Sequence, residues 1–195
     1  MTMRVLGLDP GTATFGWGVV EVGGLRPLYV AHGALRTAAS ASLGSRLGEI
    51  RDEIAALISN HRPDRIAIER IFTQANVQSA VAIGASRGIA LLVAADHDVE
   101  VVEATPSEMK RVVAGDGRAT KGMVTKAITK LLALPVAPTP DDAADALALA
   151  LWGAGARRGE QRVGSSRLDR SAAAPRATER GFDRAVRAAL RANRT

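Results

Sequence analysis

Two apolar runs in this chain end on an acid. Met3-Arg4-Val5-Leu6-Gly7-Leu8 leads to Asp9, and Arg65-Ile66-Ala67-Ile68 leads to Glu69. The carboxyl ends of strands are where α/β sheets collect their ligands. Apolar and small residues precede each acid, so each carboxylate is expected to be partly desolvated, which is costly without a partner. Two such groups brought together need a cation between them or must share a proton. Asp142 and Asp145 stand three apart at the start of an apolar helical pattern and so share a face, and Asp141 lies four before Asp145. Asp145 is the odd residue, one full turn inside a helix otherwise built of Ala143, Ala146, Leu147, Ala148, Leu149 and Leu151. Oxygen donors without His or Cys select hard cations, Mg²⁺ or Mn²⁺. Local explanations compete with this one. First-turn acids such as Asp141 and Asp142 complement a helix dipole, and Asp9 before Pro10-Gly11 suits an Asx turn. The dipole explanation is preferred for Asp141. A local explanation is weaker for Asp9, Glu69 and Asp145, which three separate elements place at an apolar terminus or face, and Asp142 stands between.

These acids need a scaffold. Met3–Asp9 reads as a buried strand, Phe15–Val22 as a second and Arg26–Arg36 as a third, joined by the turn residues Pro10-Gly11-Thr12 and Gly23-Gly24. Turns that short make the three strands antiparallel. Leu43 to Asn60 carries Leu43, Leu47, Ile50, Ile54, Leu57 and Ile58 on one helical face, and Pro63-Asp64 ends it. Arg65–Glu69 is a fourth strand, Asn76–Asp96 a long helix rich in small residues, and Val99–Glu103 a fifth strand. Pro106–Ala114, Thr120–Leu132 and Asp141–Trp152 are helices. The order β-β-β-α-β-α-β-α-α-α predicts an α/β mixed five-stranded sheet, three antiparallel strands then parallel ones, with helices on both faces.

Composition narrows the function. The 195 residues include no cysteine, which excludes thiolate metal sites and Cys nucleophiles. No apolar run approaches a membrane span and no signal peptide opens the chain, so a soluble, cytoplasmic protein is expected. Six aromatic residues argue against a stacking platform for nucleic acid. The net charge is +6, but residues 153–195, with 11 Arg and 4 acids, carry +7, while residues 1–152 net −1. A neutral body that binds nucleic acid must gather its basic residues locally, and the four Lys, at 110, 121, 126 and 130, do fall in one stretch. A solvated helix face is the bland account of that cluster. The expected division is a domain over 1–155 and a basic, Arg/Ala-rich tail over 156–195, with about 153–178 read as disordered. Within the tail, Phe182, Val186, Ala189 and Leu190 would share one helical face among arginines. His61, in an Asn-His-Arg-Pro loop, is expected to be exposed, and Trp17 and Trp152 to be core.

Five segments, in order over residues 3–152, carry a resemblance to a known family. Val5-Leu6-Gly7-Leu8-Asp9-Pro10-Gly11 resembles the opening strand of the RuvC Holliday-junction resolvases, and Ala67-Ile68-Glu69-Arg70-Ile71-Phe72 their second acidic motif. Asn76-Val77-Gln78-Ser79-Ala80 with Gly84-Ala85-Ser86-Arg87-Gly88 is similar to their central helix. Lys110 to Gly117 followed by Lys121 resembles their basic segment, and Asp142-Ala143-Ala144-Asp145-Ala146-Leu147-Ala148 their last motif. The resemblance implies a ribonuclease-H-like fold, a homodimer built on the central helix, and a crossover junction endodeoxyribonuclease that cuts four-way DNA junctions symmetrically. It places the catalytic, metal-binding carboxylates on Asp9, Glu69, Asp142 and Asp145, with two Mg²⁺ or Mn²⁺ ions per site. Asp9 is expected to bridge them. Phe72 falls where the family keeps an aromatic that stacks on a base, against the alternative of a core Phe. Lys110 and Lys121 fall on basic positions at the scissile strand, and Lys121 could neutralise the transition-state phosphate. A branch-migration motor complex is the implied protein partner. Three alternatives stay open. Asp9-Pro10-Gly11-Thr12 imitates the phosphate loop of actin-like and sugar-kinase-type phosphotransferases, though 195 residues is short for two such lobes. The others are a non-catalytic junction-binding protein and a ribonucleic-acid-processing nuclease of the same fold.

Overall fold

A computed structural model describes residues 2–24, 26–70 and 77–156. The chain divides between Val163 and Gly164 into two units, and everything described lies in the first. The strands are β1 (Met3–Asp9), β2 (Thr14–Val22), β3 (Leu28–Arg36), β4 (Arg65–Glu69) and β5 (Glu100–Ala104). The helices are α1 (Leu43–His61), α2 (Val77–Asp96), α3 (Pro106–Ala114), α4 (Lys121–Leu131) and α5 (Asp141–Gly155). Together the strands form one sheet of order β3-β2-β1-β4-β5. β1 pairs antiparallel with β2 and parallel with β4, and β4 pairs parallel with β5. β1 is therefore the central strand.

Side chains alternate across a strand, and this sorts the residues between two layers. Leu6, Leu8, Ile66 and Ile68 pack with Ile50, Ile54, Ala90 and Val93 beneath α1 and α2. Val5, Ala67, Val102 and Ala104 pack with Met109, Val124, Leu147 and Ala148 beneath α3, α4 and α5. Asp9 is in phase with Val5, and Glu69 with Ala67, so both acids belong to the α5 layer. The parallel register Leu8↔Ile68 sets them side by side at the sheet's end.

α5 lies against the sheet at backbone contact. A Cβ on Gly7 would collide with the Ala146 carbonyl and the Ala150 amide, and one on Gly16 with the Asp142 backbone. Glycine costs a strand some conformational entropy. Here it admits a helix whose first turn must reach the strand ends. Gly16 is also the cross-strand partner of Asp9, so the same contact brings Asp142 over Asp9.

Helix ends follow the sequence signals. Ser42, Thr105 and Thr120 each accept the backbone N–H three residues on, and Thr105 with Glu108 completes a capping box. Thr120 is thus the cap of α4 rather than its first residue. One boundary needs correction. The last helix does not end at Trp152 but runs to Gly155, so residues 153–155 do not belong to a disordered tail. Arg65 explains the extension, because its Nη1 donates to the carbonyls of Gly153 at 2.8 Å and Ala156 at 2.7 Å. A cation on the last carbonyls satisfies groups a helix otherwise leaves open. His61 is half-buried rather than exposed, its ring 6.0 Å from Trp17.

Candidate active site

Asp9 and Glu69 stand at the ends of neighbouring parallel strands, and α5 carries Asp142 and Asp145 over them. Each of the four is partly buried. Their mutual influence is visible in protonation. Burial, then the charges of Asp145, Glu69 and Asp142, pushes the Asp9 carboxyl from 3.8 up to about 7, against a smaller opposing pull from Lys121. Burial and then Asp145 raise Glu69, while Lys121 and Lys110 pull it down. The four acids therefore share one field, and the helical phase that paired Asp142 with Asp145 holds. Asp141 lies on the exposed side of the first turn.

Lys121 opens α4 and places Nζ 3.2 Å from Asp145 Oδ2. Asp145 holds the Lys121 ammonium above its ordinary range, by charge first and then by the hydrogen bond. Lys110, on α3, is close enough to Glu69 to act on its charge. Phe72 lies outside the described residues, as do residues 157–195.

The donor set fits a hard divalent cation. It is all oxygen, it carries four potential negative charges, and among the described residues its repulsion is opposed only in part, by Lys121 and Lys110. Among the described residues, no three acidic or histidine side chains are already drawn around a common point. The Lys121 ammonium is the cation that meets Asp145 in this arrangement.

Two features escaped the sequence. A cleft of about 450 Å³ opens beside Asp142 between the Gly11–Thr14 turn and Ala82 and Ile83 of α2. The small residues of α2 hinted at close packing but not at what they would face. Behind the strand ends, Arg87 of α2 donates from Nε to Glu103 Oε1 at 2.7 Å, and Arg70 Nε lies 4.0 Å from Glu103 Oε2. The Arg70 backbone N–H donates to the Ala104 carbonyl at 2.7 Å. Glu103 thus ties α2 to the strand end that carries Glu69. In the sequence Glu103 stands only as the acid closing the fifth strand, which the structure extends to Ala104.

Comparison with known proteins agrees with this arrangement. A family model described as crossover junction endodeoxyribonuclease RuvC matches residues 5–152. The protein of that name from Thermomicrobium roseum is 47% identical over 150 residues, 76% of this chain and 91% of the relative. The one from Heliobacterium modesticaldum is 44% identical over 162 residues, 80% of this chain and all of the relative. Among solved structures, Thermus thermophilus RuvC in complex with a Holliday junction substrate superposes with a TM-score of 0.75 at 32% identity, covering 78% of this chain and 93% of that one. The sheet is thus the ribonuclease-H-like sheet of those structures. With its family model spanning all four strand-end and helix acids, the chain belongs to the RuvC family of crossover junction endodeoxyribonucleases.

Proposed function

We propose that this protein is a cytoplasmic, structure-specific endonuclease that resolves four-way DNA junctions by paired phosphodiester cleavage during recombination and repair. The observation that carries the reading is the convergence of Asp9, Glu69, Asp142 and Asp145 in one partly buried field at the sheet's end. Family membership supports the substrate. Neither a phosphotransferase nor a non-catalytic junction binder has a counterpart among the relatives described above.

Asp9, Glu69, Asp142 and Asp145 would hold the divalent ions, Mg²⁺ or Mn²⁺, with Asp9 between the other acids. When bound, such ions activate a water and neutralise charge at the phosphorus and the leaving oxygen. The chain's own residues do the rest. The raised Asp9 and Glu69 carboxyls hold protons more readily than free carboxyls, and a cation entering the site would displace those protons and pair with carboxylates that Lys121 and Lys110 offset only in part. Lys121, tethered to Asp145, offers an ammonium to the phosphate as negative charge grows there. Lys110 contacts the same strand beside Glu69. Phe72, three residues after Glu69, supplies the aromatic that holds an unstacked base.

The outer face of α2 is the proposed dimer surface. Val81 and Leu92 are 63% and 57% exposed, and among the described residues nothing outside the helix's own adjacent backbone lies within 4 Å of where a Cβ would stand on Gly84 or Gly88. Those glycines are not required by internal packing, and they let a second copy approach closely. A two-fold dimer matches the two-fold symmetry of a four-way junction. A branch-migration motor remains the proposed protein partner. The test is incubation of a synthetic four-way junction, and of a linear duplex of the same sequence, with Mg²⁺ or Mn²⁺. Paired symmetric nicks in the junction alone are expected, and absence of metal-dependent nicking would overturn the reading.

A further inference from the structure

A groove of about 860 Å³ runs along α4 away from the catalytic acids. It begins at Lys121, the residue bonded to Asp145, and continues past Lys126 and Lys130, with Asp141 at its near wall. Its floor is uncharged, made by Gly122, Thr125 and Thr129 with Ala133 and Leu134 beyond. The threonine hydroxyls have their protons committed within the helix. Thr125 Oγ1 donates to the Lys121 carbonyl at 3.1 Å, and Thr129 Oγ1 to the Thr125 carbonyl at 2.8 Å. The groove therefore presents methyl groups and small side chains below and ammonium groups at the rim. Lys126 and Lys130 are both exposed, and neither forms an ion pair among the described residues.

The charge of the whole body points the same way. Residues 105–136 hold six basic residues (Lys110, Arg111, Arg118, Lys121, Lys126, Lys130) against Glu108 and Asp116, while residues 1–152 net −1. The stretch containing α3 and α4 is thus the positive face of an otherwise acidic body. An extended polyanion leaving the catalytic acids meets attraction in this direction and repulsion in most others.

We infer that this groove is the track for the DNA arm adjoining the cut, with Lys126 and Lys130 contacting its phosphates and the uncharged floor taking its sugars. The inference rests on the junction-cutting reading and extends it to two residues outside the acidic site. From Lys121 to Lys130 the helix rises about 13.5 Å, which spans about four base steps of a duplex strand. Contacts of this kind position the substrate and carry no sequence information.

The test is a salt titration of junction binding by the full chain and by K126A/K130A, with K126R/K130R alongside. The alanine pair should lower the log–log salt slope by about 3.6, two contacts in each protomer of the proposed dimer at about 0.9 each, and raise Kd about tenfold or more at low salt. The gap should narrow as salt rises, the cleavage loss should fall on KM rather than kcat, and the arginine pair should restore the slope. Methylphosphonates at the phosphates within about four nucleotides of the cut should weaken the full chain but not the alanine pair. An unchanged slope in K126A/K130A would overturn the inference and leave the groove to an acidic protein segment. A full chain that fails to bind or cut the junction would overturn the resolvase reading instead. Should the alanine pair melt early, K126Q/K130Q against K126R/K130R makes the same comparison with a polar side chain and most of the aliphatic stem kept.

Discussion

β1 and β4 carry an arginine at or next to their first residue and end with acids, and the two ends of these neighbouring strands handle charge in opposite ways. At the starting end, Arg65 is buried, with its Nε and Nη2 on Glu100 Oε2 at 3.1 and 3.0 Å and its Nη1 on two carbonyls of the α5 terminus. Arg4 beside it gives its backbone N–H to Asp64, Nη1 to the His61 carbonyl and Nη2 to Glu21, all within 2.8 Å. These charges are neutralised within the chain, and what they accomplish is architectural: they close the ends of α1 and α5. At the finishing end, Asp9 and Glu69 meet two further acids, and Lys121 and Lys110 offset them only in part. Burial is similar in kind at both ends, so burial does not separate them. The difference is whether the chain completes its own electrostatics. Where it does, the residues hold the fold; where it stops short, a cation and a phosphate can complete it.

This contrast can be broken from either end. The largest effect should come from the acids. Glu69→Gln and Asp145→Asn should each lower junction cleavage by about a thousandfold, measured as single-turnover nicking. Junction affinity in a gel-shift assay should change little, because binding rests on phosphates and shape. Near-normal cutting by either variant would remove that residue from the site. Next comes Arg65→Ala, which leaves Glu100 buried without its cation. It should cost about 3 kcal/mol, a fall of roughly 10 °C in a melting curve, while folded protein still cuts. A variant that melts normally but cannot cut would erase the distinction between the ends.

Phe72→Ala sharpens the contrast on the catalytic side. Cleavage of the junction should slow about tenfold or more, with little change in melting temperature. A core phenylalanine would instead lose about 3–5 kcal/mol, with cutting retained by the folded fraction. The smallest effect belongs to Asp141→Asn, which should leave cleavage within about twofold. Its side chain lies on the exposed side of the first turn, where a dipole contribution is worth about 0.5 kcal/mol. A loss as large as that of Asp145→Asn would reverse the assignment of the two positions.

Much of the fold could be read from local pattern. Apolar runs closed by Pro10-Gly11, Pro63-Asp64 and Pro138-Thr139-Pro140 delimit the strands and helices, and short turns dictate the antiparallel trio. The acids were legible too, because a carboxylate that ends a buried strand or interrupts an apolar helix conflicts with its neighbours. Pairings across long sequence distances were not. Arg65 meets Glu100 35 residues away and the Gly153 carbonyl 88 away, and nothing in either local pattern encodes the match. That match is why α5 extends to Gly155. The glycines of β1 and β2 were also opaque. In a strand, Gly7 and Gly16 look like lost β-propensity, and their use emerges only when α5 is laid on them. The Lys126 and Lys130 groove shows the same limit, since a lysine cluster in sequence does not say which face of a helix it lines or what lies next to it.

The most direct test of the central claim, that the finishing end holds charge reserved for a cation, is the metal-free stability of Asp9→Asn against pH, read beside its cutting. A carboxyl held up to about 7 in the folded protein keeps its proton while the unfolded chain releases it near 3.8. Folding therefore binds a proton in that window, and stability should fall as pH rises from about 4 to about 7 and then level off. With the metal chelated at pH 8, Asp9→Asn should be more stable than the natural protein, by as much as about 4 kcal/mol for a carboxyl raised from 3.8 to about 7. Its melting temperature should fall less with pH, the remaining fall belonging to the raised Glu69, Mg²⁺ should raise it less than it raises the natural protein's, and junction cleavage should be absent. A variant that is less stable at pH 8, keeps the full pH-dependent fall, or cuts at the natural rate would contradict the account.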